Sequence, residues 1–270
     1  MNISNTLKNQ IYIGYDAREH DAWKVCDYSL RQFGLKPKAL KTKDIPLYSR
    51  SVYEPQSTDF TFSRFWIPYL CDYKGFSMFV DCDFVFLKDP MSMINQIAET
   101  KAVSVVKHPR YLPRSTIKMD DINQNVYDRK NWSSLIIFNN EHPKIKRLEP
   151  NYLINHYPGL DLHQFRWLED SDIGSLSLTW NVLDGYYEFR YEEIGAIHYT
   201  DGGPWFDKYK KTYYSDIWLN KQKEVTMEKK EYPTGWECPR CGSVNAPQKE
   251  KCKCVKTESS EQDNKQYLTE

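Results

Sequence analysis

The chain has no excess of charge of either sign: 37 basic residues meet 37 acidic ones across 270 positions, and the sequence pI is near 7.0. General nucleic-acid binding draws on a basic surplus that tracks phosphates, so composition gives that class no support. Long apolar runs are also missing. A membrane-spanning helix takes about 18 consecutive apolar residues, and the runs here are short pieces such as Leu135–Phe138. The first ten residues, Met1–Gln10, are polar and lack the apolar core of a secretory signal. The expectation is a soluble, cytoplasmic protein with no membrane span. There is no internal repeat either, so the chain is not a stacked array.

What is present is aromatic bulk: 20 Tyr, 12 Phe and 8 Trp supply core and pocket material in a chain whose hydrophobic content is only 40%. At this length one large α/β domain and a small appendage fit. The 7 cysteines divide unevenly. Cys26, Cys71 and Cys82 are scattered, as reduced thiols of a cytosolic protein are. Cys238, Cys241, Cys252 and Cys254 crowd together near the C-terminal end.

Through Val106 the pattern alternates strand and helix. Gln10–Asp16 reads as a strand, Asp21–Phe33 as a helix stopped by Gly34, and Lys38–Leu40 as a short strand. Thr61–Tyr73 reads as an amphipathic helix bent by Pro68. A strand follows Gly75, a helix runs from Pro90 to about Glu99, and Ala102–Val106 is strand again. This is the pattern of a largely parallel sheet. Lys107–Arg129 reads as a long loop or flap. Trp132–Phe138 reads as a strand, Arg147–Tyr157 as a short helix and Ile194–Tyr199 as a last strand. Lys221–Glu231, with seven charges in eleven residues, reads as a solvated linker.

Between Gly75 and Pro90, the largely apolar stretches Phe76–Val80 and Phe84–Leu87 are separated by Asp81 and Asp83. On an extended strand the two carboxylates face one side and Cys82 the other. The C-terminal ends of strands are where open α/β sheets bind ligands. Two carboxylates this close repel unless a cation sits between them or one keeps its proton. A divalent-metal site is one reading, and a pair of solvated turn formers is the other.

Tyr15-Asp16, Phe62-Ser63-Arg64-Phe65, Asp81-x-Asp83 and His198-Tyr-Thr-Asp-Gly-Gly-Pro-Trp205 occur in one order. Over about residues 10–210 this set resembles the family 8 glycosyltransferases and their relatives with a GT-A fold. Such enzymes are nucleotide-sugar-dependent, usually manganese-dependent and sugar-retaining. The resemblance implies that Asp81 and Asp83 hold a cation bridging the donor's two phosphates, and that His198 completes the metal shell. Hard carboxylate oxygens suit Mn or Mg, and an imidazole nitrogen shifts the preference toward Mn.

By the same resemblance Arg64 faces the donor sugar and diphosphate. Gly14, Tyr15 and Asp16 lie where the base and ribose bind, with Arg18 a weaker candidate for charge compensation. Ser133 and Ser134 line the donor sugar, and Asp170 or Asp172 contacts sugar hydroxyls. Trp180-Asn181 is similar to an element that shapes the sugar pocket. Gly202 and Gly203 would let the backbone approach the diphosphate closely. The chain departs from the family where no Lys precedes Pro204, leaving Lys208 or Lys210 as substitutes. Trp205 is a candidate lid or stacking residue, or core.

Cys238-Pro-Arg-Cys241, ten residues beginning with Gly242, then Cys252-Lys-Cys254 has the spacing of a zinc ribbon. Four thiolates bind Zn tetrahedrally and can fold a segment too small for a core. Such a module could dock a protein or nucleic acid.

The expectation is therefore an α/β GT-A domain with a Rossmann-like mixed sheet (residues 1–215), a charged linker (216–234), a zinc ribbon (235–256) and a disordered tail (257–270). Its expected chemistry is metal-dependent transfer of a sugar from a nucleotide diphosphate donor to a glycan, protein or small molecule, with retention. Two rivals stand beside it. A nucleotidyltransferase would show a Gly-rich basic loop after the first strand, which Tyr15–His20 does not provide. A degenerate transferase acting as an adaptor through the zinc ribbon is the other.

Overall fold

The computed structural model describes residues 3–50, 56–110, 112–114, 117–118, 122–123, 126–150, 154–231, 236–238 and 243–245. Two compact units divide the chain, Met1–Lys223 and Glu224–Glu270. Among the described residues no helix is long and apolar enough to cross a membrane.

The larger unit opens with α1 (Ile3–Leu7), β1 (Ile11–Gly14), α2 (His20–Arg31) and β2 (Lys38–Leu40). Next come α3 (Ile67–Leu70), β3 (Phe76–Val80), β4 (Phe84–Phe86) and β5 (Val103–Val106). A small antiparallel pair, β6 (Ile117–Lys118) and β7 (Ile122–Asn123), lies inside the stretch read as a flap. β8 (Leu135–Asn139), α4 (Gly159–His163), β9 (Ile173–Leu176), β10 (Val182–Leu183), β11 (Ala196–His198) and α5 (Ser215–Glu231) follow.

Six strands form the main sheet in the order β2-β1-β3-β8-β5-β9. β8 alone runs against its neighbours, and the β2–β1, β1–β3 and β5–β9 pairs are parallel. Every residue of β1, β3 and β5 is buried, as expected of strands covered on both faces. A second sheet has the order β10-β11-β4. α2 buries Ala22, Val25, Cys26 and Leu30, the face its apolar spacing marks. Ser29 on that helix accepts from the Phe86 amide at 3.1 Å, so α2 also satisfies a donor of β4.

Three local expectations give way. Thr61–Tyr73 is not one bent helix: a 3-10 turn over Ser63–Trp66 leads into α3, and Pro68 sits in the first turn of α3. Proline lacks the N–H that this turn leaves unused, so here it starts a helix. The Pro90–Glu99 helix is a 3-10 segment ending at Gln96, capped by Asp89 through the Met91 amide. Lys221–Glu231, read as a solvated linker, is helical and forms the latter part of α5, because Lys, Glu, Gln and Met all favour helix. The expected helix Arg147–Tyr157 falls partly on residues 151–153, outside the described residues.

In the smaller unit, β12 (Trp236–Glu237) pairs antiparallel with β13 (Val244–Asn245), and the Cys238 amide donates to the Ser243 carbonyl at 2.9 Å. Cys241, Cys252 and Cys254 lie outside the described residues, as does the expected tail.

Candidate functional site

The Asp81-Cys82-Asp83 tripeptide is the joint between the two sheets. The expected single strand breaks here, and the two carboxylates come from a turn, not from alternate positions of one extended strand. The Asp81 amide still donates to Ser134 at the start of β8 (2.9 Å), continuing the main sheet. The Asp83 carbonyl accepts from the Tyr199 amide just after β11 (3.0 Å), beginning the second. Cys82 points into the core at 1% exposure. Burial pushes the Cys26 and Cys82 thiols well above their usual range, which makes them packing groups and not nucleophiles.

β11 delivers His198 to the same joint. It pairs with Phe84 across the antiparallel ladder, and the two rings stack with centroids 4.4 Å apart. Ligand atoms of Asp81, Asp83 and His198 all lie within 4.8 Å of one another. His198 Nε2 is 3.2 Å from Asp83 Oδ2, and its other nitrogen, Nδ1, is 2.9 Å from Asn181 Oδ1. Two carboxylates and an imidazole converging on one point form a donor set suited to a divalent cation of the Mn or Mg class.

Arg64 closes one side. Its guanidinium lies 2.9 Å from Asp81 Oδ1, donates to the Ser133 carbonyl at 2.6 Å and covers the Phe79 ring at 4.5 Å. At 5% exposure this is a buried cation whose charge is met by Asp81. Ser133 and Ser134 are both buried beside it. The Ser133 hydroxyl is 2.7 Å from His163 Nδ1, and the Ser134 hydroxyl accepts from Asn181 Nδ2 at 2.8 Å.

Tyr15 lies in an aromatic group at the end of β1, edge-on to His20 and Trp23 with Lys41 over its ring at 4.8 Å. Asp16, almost fully buried, caps the following 3-10 turn and binds Arg18 at 2.6 Å and the Asp59 amide at 3.1 Å. Burial pushes its carboxyl up, but the Arg18 and Asp59 hydrogen bonds outweigh that and hold it below the usual range. Arg18 thus serves Asp16. Gly14 has the Phe60 ring where a Cβ would stand, at 2.4 Å, so close packing explains that glycine. Gly202 adopts φ +118°, a conformation other residues avoid, and Gly203 is covered by the Trp205 ring. Trp205 in turn packs on Trp218, a core contact. Lys210 pairs with Asp207 in the exposed turn beyond.

The two other acidic candidates lie in the turn before β9. Asp172 precedes β9, and its carbonyl accepts from Ala102, level with the Phe76–Asn139 row of the sheet. Asp81 is level with Ser134, five residues further along β8, roughly 16 Å at about 3.3 Å per residue. Asp172 closes a capping box with Glu169 and binds Lys144 at 2.7 Å. Asp170 is mostly exposed and ion-paired with Arg129. One or the other was expected at the sugar; Asp172 holds a turn, and Asp170 pairs with Arg129, whose guanidinium lies over the Trp132 ring.

Other residues reach the site with no local signal in the sequence. His163 is one, placed by the last turn of α4. His108 is another: burial pushes its imidazole down to about 3, and the nearby charge of His198 adds to this, against a hydrogen bond with Asn181. Tyr127 feels the charges of Arg64 and Asp81, although burial is the main reason its phenol is raised.

Likeness to solved structures defines the fold. The chain superposes on WbbM, a bifunctional glycosyltransferase, with a TM-score of 0.57 and 16% identity, covering 83% of this chain and 51% of that one. It matches the glycosyltransferase GlyE of Streptococcus pneumoniae TIGR4 at 0.53 and 13%, covering 90% and 66%. An active-site mutant of LgtC matches at 0.51 and 8%, covering 80% and 95%. The chain spans about half the length of WbbM. The fold is the GT-A glycosyltransferase fold, with an Asp-Asp-His cluster at the joint of its two sheets. No protein-family model matches the chain. It is 41% identical over 231 residues to protein CDI of Arabidopsis thaliana, covering 82% of this chain and 88% of that protein. The chain belongs to the family of protein CDI.

Proposed function

We propose that this protein is a metal-dependent glycosyltransferase of the family 8 type, moving a sugar from a nucleoside diphosphate sugar to a hydroxyl-bearing acceptor. The observation that carries this reading is the convergence of Asp81, Asp83 and His198 within 4.8 Å at the sheet joint of a GT-A fold. The cation, Mn or Mg, supplies positive charge to the departing diphosphate when bound. Arg64, already buried against Asp81, offers a planar guanidinium on the same side. The turn at Gly202 and Gly203 would let the backbone approach the phosphates, although the Gly202 amide is bonded to the Tyr199 carbonyl, and Tyr15 with Trp23 and Lys41 offers a face for the base.

Retention fits the placement of the acids. In retention the bond from the anomeric carbon to the diphosphate breaks, the bond to the acceptor oxygen forms on the same face, and a diphosphate oxygen takes the acceptor's proton. No protein base is needed. An inverting route requires a positioned carboxylate, and Asp172 is bound to Lys144 at the other end of the sheet. The main protein contribution is stabilisation of leaving-group charge.

The smaller unit fits a structural zinc module. Trp236–Glu237 and Val244–Asn245 pair as two strands, Cys238 ends the first of them and is buried, and Cys241-Gly242 lies between them in sequence. Cys252 and Cys254 would complete a four-thiolate shell that leaves no open position for catalysis.

The decisive experiment titrates UDP- and GDP-sugars with and without Mn and follows nucleotide release. Metal-dependent release that is lost in Asp83→Asn supports the reading. Absence of nucleotide-sugar binding, together with an Asp83→Asn variant indistinguishable from wild type, overturns it.

A further inference from the structure

Asn181 is fully buried and hydrogen-bonds on both sides of its amide. The Ser134 hydroxyl donates to the Asn131 carbonyl at 2.7 Å, so toward Asn181 it can only accept. Asn181 Nδ2 therefore faces Ser134 at 2.8 Å, and Oδ1 faces His198 Nδ1 at 2.9 Å. The nitrogen of His198 that meets an amide oxygen must carry a proton. Nε2 is then the atom turned to Asp83 Oδ2, 3.2 Å away, where the carboxylates converge. Asn131, which anchors the chain of bonds, is itself held: it adopts φ +62° and donates from Nδ2 to Thr200 Oγ1 at 3.0 Å, two residues after His198.

We propose that Asn181 is a positioning residue that fixes His198 as the Nδ1–H tautomer and presents Nε2 as a metal ligand, with Ser134 and Asn131 setting the direction of its amide. This rests on the metal reading above. A free neutral imidazole can place its proton on either nitrogen, and the partner of the non-ligating nitrogen decides which. Such partners orient the ring as well, and losing one typically costs 10–100-fold in metal affinity. The sequence places Asn181 one residue before β10, whose Leu183 pairs with His198. The contact therefore arises from sheet register and not from any local motif.

The test uses the full chain and Mn(II) alone, with free Mn followed by electron paramagnetic resonance and imidazole nitrogen coupling read by electron spin echo modulation. Wild type is expected to bind Mn with a nitrogen signature. Asn181→Leu should bind roughly 10–100-fold more weakly and lose that signature. Asn181→Asp keeps an acceptor for Nδ1–H and should restore both. An Asn181→Leu variant that melts like wild type and binds Mn equally well overturns the inference, as does equal loss in Asp and Leu variants. If Asn181→Leu does not fold, Ser134→Ala decides: it frees the amide to turn over and should weaken Mn binding, and unchanged binding overturns the proposal. Wild type that binds no Mn defeats the metal reading and this inference together, whereas Mn binding indifferent to residue 181 defeats this inference alone.

Discussion

Arg64 and Asp81 form a buried ion pair, Nη1 to Oδ1 at 2.9 Å, with side chains only 6% and 16% exposed. The same Nη1 donates to the Ser133 carbonyl, and Nε donates to Thr61. One guanidinium thus joins the loop before α3, the entry to β8 and the turn between β3 and β4. It also answers the question raised by two adjacent carboxylates: Asp81 is balanced by Arg64, while Asp83 faces His198.

Replacing Arg64 by Met should leave Asp81 buried without its partner and destabilise the larger unit by about 3–5 kcal/mol. Combining it with Asp81→Asn should recover much of that loss, because no uncompensated charge remains. Urea denaturation of the two single variants and the double variant measures the coupling. A coupling near zero would show that the pair contributes nothing beyond its separate packing.

Much of this arrangement was legible in the residues. The fully buried β1, β3 and β5 are mostly apolar, with a single serine in each of β3 and β5, and Asp81, Asp83, His198 and Arg64 stand out against them. The break at Asp81-Cys82-Asp83 was not legible, because apolar residues on both sides of the acidic pair are equally compatible with one long strand. Asp170 and Asp172 show the limit of motif reading. Acidic residues before a strand also serve as capping groups, and only the bond from Ala102 to Asp172 shows which end of the sheet Asp172 occupies. His108 and His163 reach the site from distant elements, and such contacts leave no mark at sequence spacing.

Gly202→Ala tests the glycine turn that follows His198. The residue holds φ +118°, and a methyl would stand 2.8 Å from the Tyr209 ring. Strain of this kind costs about 1–3 kcal/mol. The variant should melt lower than wild type and, if the backbone approaches the diphosphate here, should also bind nucleotide more weakly. A wild-type melt would show that the turn relaxes freely.

The small unit should carry about one zinc per chain. Metal analysis of the purified protein checks this, and Cys238→Ser should remove the metal. Because Met1–Lys223 is a compact unit in its own right, the main thermal transition should persist in that variant. Zinc retained after Cys238→Ser would exclude this cysteine from the shell.

His108 should make the larger unit acid-sensitive well above the carboxylate range. Burial, reinforced by the charge of His198, brings its imidazole down to about 3, against about 6.5 in an unfolded chain. Between those values the unfolded chain binds a proton that the folded protein refuses, so unfolding is favoured as pH falls. The stabilisation is therefore fully present above pH about 6.5 and is lost progressively below it, with a limiting slope of about 1.4 kcal/mol per pH unit for one proton. His108→Phe keeps a ring to stack on Tyr187, now 5.7 Å from the imidazole, and removes the titration. Its stability between pH 4 and about 6.5 should fall less steeply than that of wild type. Parallel slopes in urea titrations of the two proteins would mean that the imidazole ionises within the fold, and that His108 is better solvated than its burial implies.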